Sequence, residues 1–235
     1  MVTDMVEMDD LVSRILSECA LLPRDRSLLV GISGIDGSGK GYVTLQLQAR
    51  LAQRSVAAAK INVDGWLNLP ERRFNSEQPA KHFYVNAIRL NEFFTQLVLP
   101  LRNKRSVNLV ADLTEETAKS YRKHTYSFRN VDVVLVEGIF LFKSDYRNLF
   151  DLAIWIDCSF STALMRALER KQEALPPAAT IRAYETIYFP AQRIHEKRDH
   201  PREAADLIFA NDPYPERQSC YQREMKLMTA TASVH

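Results

Sequence analysis

Residues 28–45 read LLVGISGIDGSGKGYVTL, and the rest of the chain is organised around this stretch. An apolar run of five residues leads into a glycine-rich loop, which ends at Lys40 and is followed by a segment able to form a helix. Because glycine has no Cβ, such a loop can curl and aim its backbone N–H groups at an anion. A helix that starts at Lys40 adds unpaired amides and the positive end of its dipole. The stretch therefore predicts a strand, a phosphate-binding loop and a helix.

The loop resembles the Walker A motif of P-loop nucleotide-binding proteins. The pattern G-x-x-x-x-G-K-[ST] fits up to Lys40, but Gly41 stands where Ser or Thr is usual, as in the Lys-Gly ending of adenylate kinases. The resemblance implies that Lys40 contacts the β and γ phosphates of ATP. The missing hydroxyl leaves Mg²⁺ more dependent on carboxylates and water. The predicted nucleotide-binding residues are Gly34, Ile35, Asp36, Gly37, Ser38, Gly39, Lys40 and Gly41.

Composition predicts a folded protein with a packed core. The chain has 235 residues, of which 46% are hydrophobic and 26% charged, as expected for one large α/β domain or one domain with a lid. A net charge of +2 gives no reason to expect a nucleic-acid partner. The three cysteines form no CxxC pair, which argues against a disulfide framework and for a reducing, cytoplasmic compartment. Without a signal-peptide pattern or a long apolar run, no membrane association is expected.

Strand and helix patterns alternate along the chain, which predicts a parallel sheet covered by helices on both faces. The predicted strands cover residues 28–32, 56–63, 107–110, 131–136, 152–156 and 205–210. The predicted helices cover residues 3–20, 41–53, 80–102, 161–171 and 181–197, the last interrupted at Pro190. A polar tail, residues 215–235, is expected to form a terminal helix that frays. Residues 112–130 are polar, aromatic and basic, and suit either a helix-turn insert facing a substrate or an exposed connection.

Two acidic residues come directly after predicted buried strands. Asp64 follows residues 56–63, and Glu137 follows the run VDVVLV at 131–136. Because α/β sheets place their chemistry at the carboxyl ends of strands, both side chains are expected beside the glycine-rich loop. The second strand resembles a Walker B strand, whose terminal acid orients Mg²⁺ or its waters. Glu137 and Asp64 are therefore the predicted metal-binding residues.

Arg166 and Arg170 lie four residues apart in a predicted helix and so share one face. They suit a pair of arginines that closes over a transferring phosphate, or a solvated basic face. Pro176 and Pro177 break the helix afterwards and could form the turn of a lid. The lid region is expected at about residues 166–195.

The order of these motifs resembles the uridine kinase and phosphoribulokinase family of P-loop kinases. The matching pieces are GISGIDGSGKG, VDGW, VVLVEGIFLF, IWIDCSFSTALMRALER, YFPA and ADLIFAND, which span most of residues 27–212. The resemblance implies an α/β fold, a P-loop NTPase three-layer sandwich with a central parallel sheet and a small helical lid, formed by residues 1–235 as a single domain. It implies ATP and Mg²⁺ as cofactors, Asp64 as the catalytic base, Glu137 on the metal, and Lys40, Arg166 and Arg170 on the phosphates.

The resemblance also implies a small-molecule acceptor, uridine or a related nucleoside. Arg73, Tyr84, His124 and Arg129 are the residues expected to contact it. Two departures from uridine kinases stand out: the stretch QPAKHFYVNAIR lacks the acid that grips ribose, and YRKHTYSF offers only His124 for the base. The basic residues Arg72, Arg73, Arg122, Lys123 and Arg129 would instead suit an anionic acceptor, such as a sugar phosphate, glycerate or pantothenate. A nucleotide-binding regulator without catalysis is a further alternative, and a homo-oligomer is left open.

Overall fold

The computed structural model describes residues 6–171 and 174–212. Its strands, in chain order, are β1 Leu28–Ser33, β2 Ala58–Asn62, β3 Val107–Leu113, β4 Arg122–Phe128, β5 Val133–Gly138, β6 Leu152–Asp157 and β7 Leu207–Ala210. The helices are α1 Met8–Leu21, α2 Lys40–Ala52, α3 Pro70–Arg73, α4 Pro79–Asn86, α5 Leu90–Glu92, α6 Leu99–Lys104, α7 Phe160–Arg170, α8 Pro177–Ala183 and α9 Phe189–Asp199. Two π-helical segments, Phe93–Val98 and Tyr184–Tyr188, join α5 to α6 and α8 to α9.

The predicted parallel sheet is confirmed. Five strands pair in the order β2-β5-β1-β6-β7, and every pairing is parallel. All six residues of β1 are buried, as expected for a strand with helices on both faces. One buried apolar cluster joins this sheet to α1 and α2, and a second joins it to the helices on the opposite face. The result is a three-layer sandwich in which the loop after the central strand lies at the carboxyl edge of the sheet.

Residues 112–130 contain strand segments that neither predicted alternative, a helix-turn insert or an exposed connection, included. Residues 112–113 end β3 and residues 122–128 form β4, and the two strands make an antiparallel hairpin paired from Val107 opposite Phe128 to Leu113 opposite Arg122. The hairpin stands apart from the main sheet, and the exposed positions of β4 are polar. Alternating burial along β4 follows the period of two that a half-exposed strand requires.

The single helix predicted over residues 80–102 is broken. After α4, the backbone of residues 87–89 pairs with residues 66–68 instead of continuing the helix: Asn68 N–H donates to the carbonyl of Ala87, and Arg89 N–H to that of Trp66, both at 2.9 Å. Residues 87–89 thus hold the segment after β2 in place. The helical path resumes at Leu90.

Two other helix boundaries differ from the predictions. The first helix begins at Met8, because Glu7 forms a capping box with Asp10 and Val6 N–H donates to the carbonyl of Ile208 at 3.0 Å. Residues 3–5 of that prediction and the tail at 215–235 lie outside the described residues. Pro190 does not interrupt the last helix, because the preceding π-helical turn and the start of α9 accommodate its missing N–H. Within the described residues, no helix is both long and apolar enough to cross a membrane.

Candidate active site

The glycine-rich loop is shaped by contacts that exclude side chains. Gly37 and Gly39 have φ angles of +78° and +89°, in the left-handed region that favours glycine. A Cβ on Gly34 would lie 2.6 Å from the carbonyl oxygen of Ile156, and one on Gly37 would lie 2.5 Å from that of Ala163. The loop therefore packs directly on the backbone of β6 and α7.

Lys40 lies buried at the first position of α2. Its Nζ donates to the carbonyl oxygens of Gly34 at 3.2 Å and Ile35 at 2.8 Å, so the ammonium group is held against the inside of the loop. Burial lowers the pKa of Lys40, and the nearby carboxylates of Asp36 and Glu137 oppose that shift. A bound phosphate would give this cation an anionic partner.

The carbonyl group of Ser38 is held by two side chains from distant parts of the chain. Asn211, just after β7, donates its Nδ2 to Ser38 O at 2.7 Å. Arg166 donates Nη1 to the same oxygen at 3.1 Å and Nη2 to the carbonyl of Asn211 at 3.0 Å. Because the C=O and the following N–H of a trans peptide point in opposite directions, this clamp also fixes the direction of the Gly39 N–H.

Asp36 connects the loop to the helices that follow α7. Its carboxylate accepts a hydrogen bond from the Tyr184 hydroxyl and lies 3.4 Å from Arg170 Nη2, which also donates to the Tyr184 oxygen at 3.2 Å. Burial alone would raise the pKa of Asp36, but Arg170, Lys40 and Tyr184 together lower it. The carboxylate therefore remains ionised and holds Arg170 at the edge of the loop.

The two predicted acids lie beside the loop, in different surroundings. Asp64 is in a 3₁₀ turn after β2, and its N–H donates to Asn62 Oδ1 at 2.7 Å. Burial, and then the charge of Asp36, raise the pKa of Asp64. Glu137, at the end of β5, is 4% exposed and lies 3.7 Å from Lys60 Nζ. Burial raises its pKa, although Lys40 and Lys60 oppose the shift.

These groups line one cleft of about 620 Å³, a size typical of small-molecule sites. Of the residues predicted from the sequence, the cleft is lined by Asp36, Gly37, Gly39, Lys40, Gly41, Asp64, Arg73, Glu137, Arg166 and Arg170. A neighbouring cleft of about 520 Å³ shares Asp64 with it and extends to Leu113 and Tyr126 of the hairpin. Residues of the glycine-rich loop, the two strand-end acids and the two arginines of α7 thus face a common space.

Three residues expected at the acceptor lie elsewhere. The Tyr84 hydroxyl donates to Asp199 Oδ2 at 2.5 Å, inside a buried cluster that also contains His195. The His124 ring packs against Tyr126 on the hairpin, with ring centroids 4.5 Å apart, and Arg129 is exposed just after β4. None of these three side chains lines the cleft. The Tyr84 hydroxyl points into the core, His124 lies on the hairpin, and Arg129 directly follows it.

Other cleft residues carried no local sequence signal. Phe83, Tyr188 and Gln192 line the cleft from α4 and from the helix that ends in α9. Glu116, from the segment between β3 and β4, lines it as well. Asn211, which holds the Ser38 carbonyl, was within reach of a sequence rule, because it directly follows a parallel strand, where α/β folds place functional groups.

Comparisons with known proteins identify the family of this chain. The model of the Phosphoribulokinase / Uridine kinase family matches residues 29–174. The chain belongs to this family. A family member named uridine kinase from Macrococcus caseolyticus is 28% identical over 189 residues, which cover 78% of this chain and 87% of the relative.

Two solved structures share the fold of this chain. One, titled a possible uridine kinase from Bacillus stearothermophilus, has a TM-score of 0.66 and 19% identity, covering 86% of this chain and 96% of that one. The other, phosphoribulokinase from Rhodobacter spheroides, has a TM-score of 0.57 and 14% identity, covering 83% and 73%. At these identities the likeness shows the P-loop kinase fold alone.

Proposed function

We propose that the protein transfers the γ-phosphate of ATP to a hydroxyl group of a small-molecule acceptor. The observation that carries this proposal is that Lys40, on the glycine-rich loop, and Asp64, on the strand-end turn, line the same cleft. Phosphoryl transfer depends mainly on positioning and charge neutralisation, and these two residues supply a cation for the phosphates and a base for the hydroxyl.

The residues around Gly41 fit a magnesium ion. A Cβ on Gly41 would lie 3.3 Å from Glu137 Oε1, so this carboxylate faces the position where P-loop proteins usually carry a metal-binding hydroxyl. Mg²⁺ commonly uses one or two protein carboxylates, with water and substrate phosphates completing its shell, and Glu137 with Asp64 meets that requirement. When bound, the ion would neutralise charge on the β and γ phosphates.

Asp64 is proposed as the general base. Its raised pKa makes it a better proton acceptor than an exposed aspartate, and the bond from its N–H to Asn62 fixes the backbone that carries it. We propose that Arg170 exchanges its contact with Asp36 for one with the γ-phosphate, and that Arg166 fixes the shape of the loop through its bond to Ser38. We propose that residues 166–195 act as a lid of this single domain and exclude water when both substrates are bound.

Two acceptor classes have separate support. The names of relatives such as the Macrococcus caseolyticus uridine kinase favour uridine or a related nucleoside. The buried guanidinium group of Arg73, which lines the cleft, favours an acceptor that carries an anionic group. Both classes present a hydroxyl that Asp64 could deprotonate.

The test is ADP release from ATP and Mg²⁺ in the presence of uridine, cytidine, ribulose 5-phosphate, D-glycerate or pantothenate. Wild-type protein is expected to release ADP faster with one of these acceptors, and the Lys40→Ala variant is expected to lose that stimulation. If the wild type binds ATP but no acceptor in the panel stimulates ADP release, the proposed function fails for these classes and a non-catalytic nucleotide-binding role is favoured.

A further inference from the structure

Arg73 is a buried cation in the wall of the cleft. It is 2% exposed, ends the short helix α3, and its guanidinium carbon lies 5.2 Å from the centre of the Phe74 ring. Its Nη2 donates to the carbonyl oxygen of Glu116, but its Nε has no hydrogen-bond partner among the described residues. Burying a charged group with unmet donors is costly, so a ligand group that accepts these bonds would be bound favourably.

Gln192 presents a second unmet donor from another wall of the same cleft. It is 1% exposed and lies on α9, far along the chain from α3. Within residues 6–171 and 174–212, no group accepts a hydrogen bond from its Nε2. Most buried side-chain amides are paired, so the unpaired Nε2 of this cleft-lining residue indicates a partner supplied by a ligand.

The space near these two donors is partly apolar. The Phe83 and Tyr188 rings line it in an edge-to-face pair, with centroids 5.1 Å apart. Aromatic walls exclude water and lower the local dielectric constant, which strengthens a charged hydrogen bond formed there.

We propose that Arg73 and Gln192 form a subsite that binds a carboxylate or phosphate group of the acceptor. This inference rests on the proposed kinase function and names the acceptor class: a hydroxylated anion. The acceptor hydroxyl would reach Asp64 while the anionic end lies at Arg73 and Gln192, all of which line one cleft.

The chemistry of the donors favours an anion over an uncharged nucleoside. A guanidinium group offers parallel N–H donors that match the two oxygens of a carboxylate or phosphate. The negative charges of Glu116 and Asp64 already act on Arg73, and an anionic ligand adds a compensation that a neutral ring does not.

The test measures binding by calorimetry, with Mg²⁺ and a non-hydrolysable ATP analogue present. The probes are D-glycerate, pantothenate, ribulose 5-phosphate and uridine, so that carboxylate, phosphate and neutral acceptors are separate arms. The variants are Arg73→Gln and the isosteric Gln192→Glu, which places a negative charge at the subsite. Arg72→Gln is the matched control, because Arg72 is exposed on the same helix and does not line this cleft.

At least one anionic probe is expected to bind the wild type, and both subsite variants to weaken it about 10–100-fold, the range for a lost charged hydrogen bond. Arg72→Gln should bind like the wild type. The inference is overturned if none of the three anions binds, or if Gln192→Glu, with a wild-type melting temperature, leaves their affinity unchanged. Should Arg73→Gln fail to fold, Gln192→Glu decides alone. If an anion binds at this subsite but is never phosphorylated, the proposed function fails and the subsite stands.

Discussion

The Glu137 carboxylate lies directly against Gly41, so that a Cβ on Gly41 would be 3.3 Å from Oε1 and 3.4 Å from Oε2. Gly41, which replaces the usual Ser or Thr of the P-loop pattern, is therefore next to Glu137, the acid predicted from its position at the end of a strand. A serine at this position would bring its hydroxyl close to Glu137, where the proposed Mg²⁺ is bound.

Gly41→Ser is expected to lower the Mg²⁺ concentration needed for half-maximal turnover, because the added hydroxyl supplies one more oxygen ligand. Gly41→Ala is the matched control, since it adds the Cβ without the hydroxyl. A Mg²⁺ titration of acceptor-dependent ADP release measures both. Identical titration curves for the wild type and the serine variant would mean that the metal does not approach residue 41.

Lys40→Ala should lower kcat about 10²–10³-fold, the size expected when one preorganised charge on a transferring phosphate is removed. Among residues 6–171 and 174–212, its ammonium group donates hydrogen bonds only to loop carbonyls, so the fold should persist. Circular dichroism checks the fold, and steady-state kinetics measures the loss. Wild-type kcat in a folded Lys40→Ala protein would rule out this loop as the phosphate site.

Asp64→Asn should lower kcat about 10²–10⁴-fold with little change in ATP affinity, as for the loss of a general base. A base works only when deprotonated, so the rate should fall as pH drops through the pKa of Asp64. That pKa is raised from its ordinary value of 3.8 by burial and by Asp36, so the acid limb should lie above that value. A pH-rate profile whose acid limb persists in the Asn variant would assign the limb to another group.

Asn211→Ala removes the side-chain donor that holds the Ser38 carbonyl. The loss of one hydrogen bond of about 1 kcal/mol should raise the KM for ATP several-fold, because the Gly39 N–H is no longer fixed in direction. Arg166→Lys removes the guanidinium group, whose two terminal nitrogens donate to the carbonyls of Ser38 and Asn211, and should also raise the KM for ATP. Asn108→Ala, on the exposed side of the hairpin, is the control and should leave the KM unchanged.

The parts of the site that could be predicted are those with a local signal. The glycines and Lys40 are adjacent in sequence, and Asp64 and Glu137 each follow an apolar run that forms a strand of the parallel sheet. The spacing of the loop motif and the strand-end positions of the two acids were sufficient to predict that these segments lie next to each other. Arg73 was predicted from its charge alone, and the structure shows that it is buried in the wall of the cleft.

The missed features depend on contacts between distant segments. Asn211 and Ser38 are 173 residues apart. The hairpin pairs β3 with β4 across a polar segment whose sequence favours no single conformation. Tyr84 lies in an apparently helical stretch, and its sequence gives no sign that the hydroxyl turns inward to Asp199. Side-chain direction of this kind is decided by tertiary packing.

Transfer of radiolabelled γ-phosphate from ATP to an acceptor tests the central claim most directly. Wild-type protein is incubated with labelled ATP, Mg²⁺ and each acceptor, and the products are separated by thin-layer chromatography. The account predicts a labelled acceptor with the wild type and a strongly reduced yield with Asp64→Asn. Label found only in ATP and inorganic phosphate, whichever acceptor is present, would contradict it.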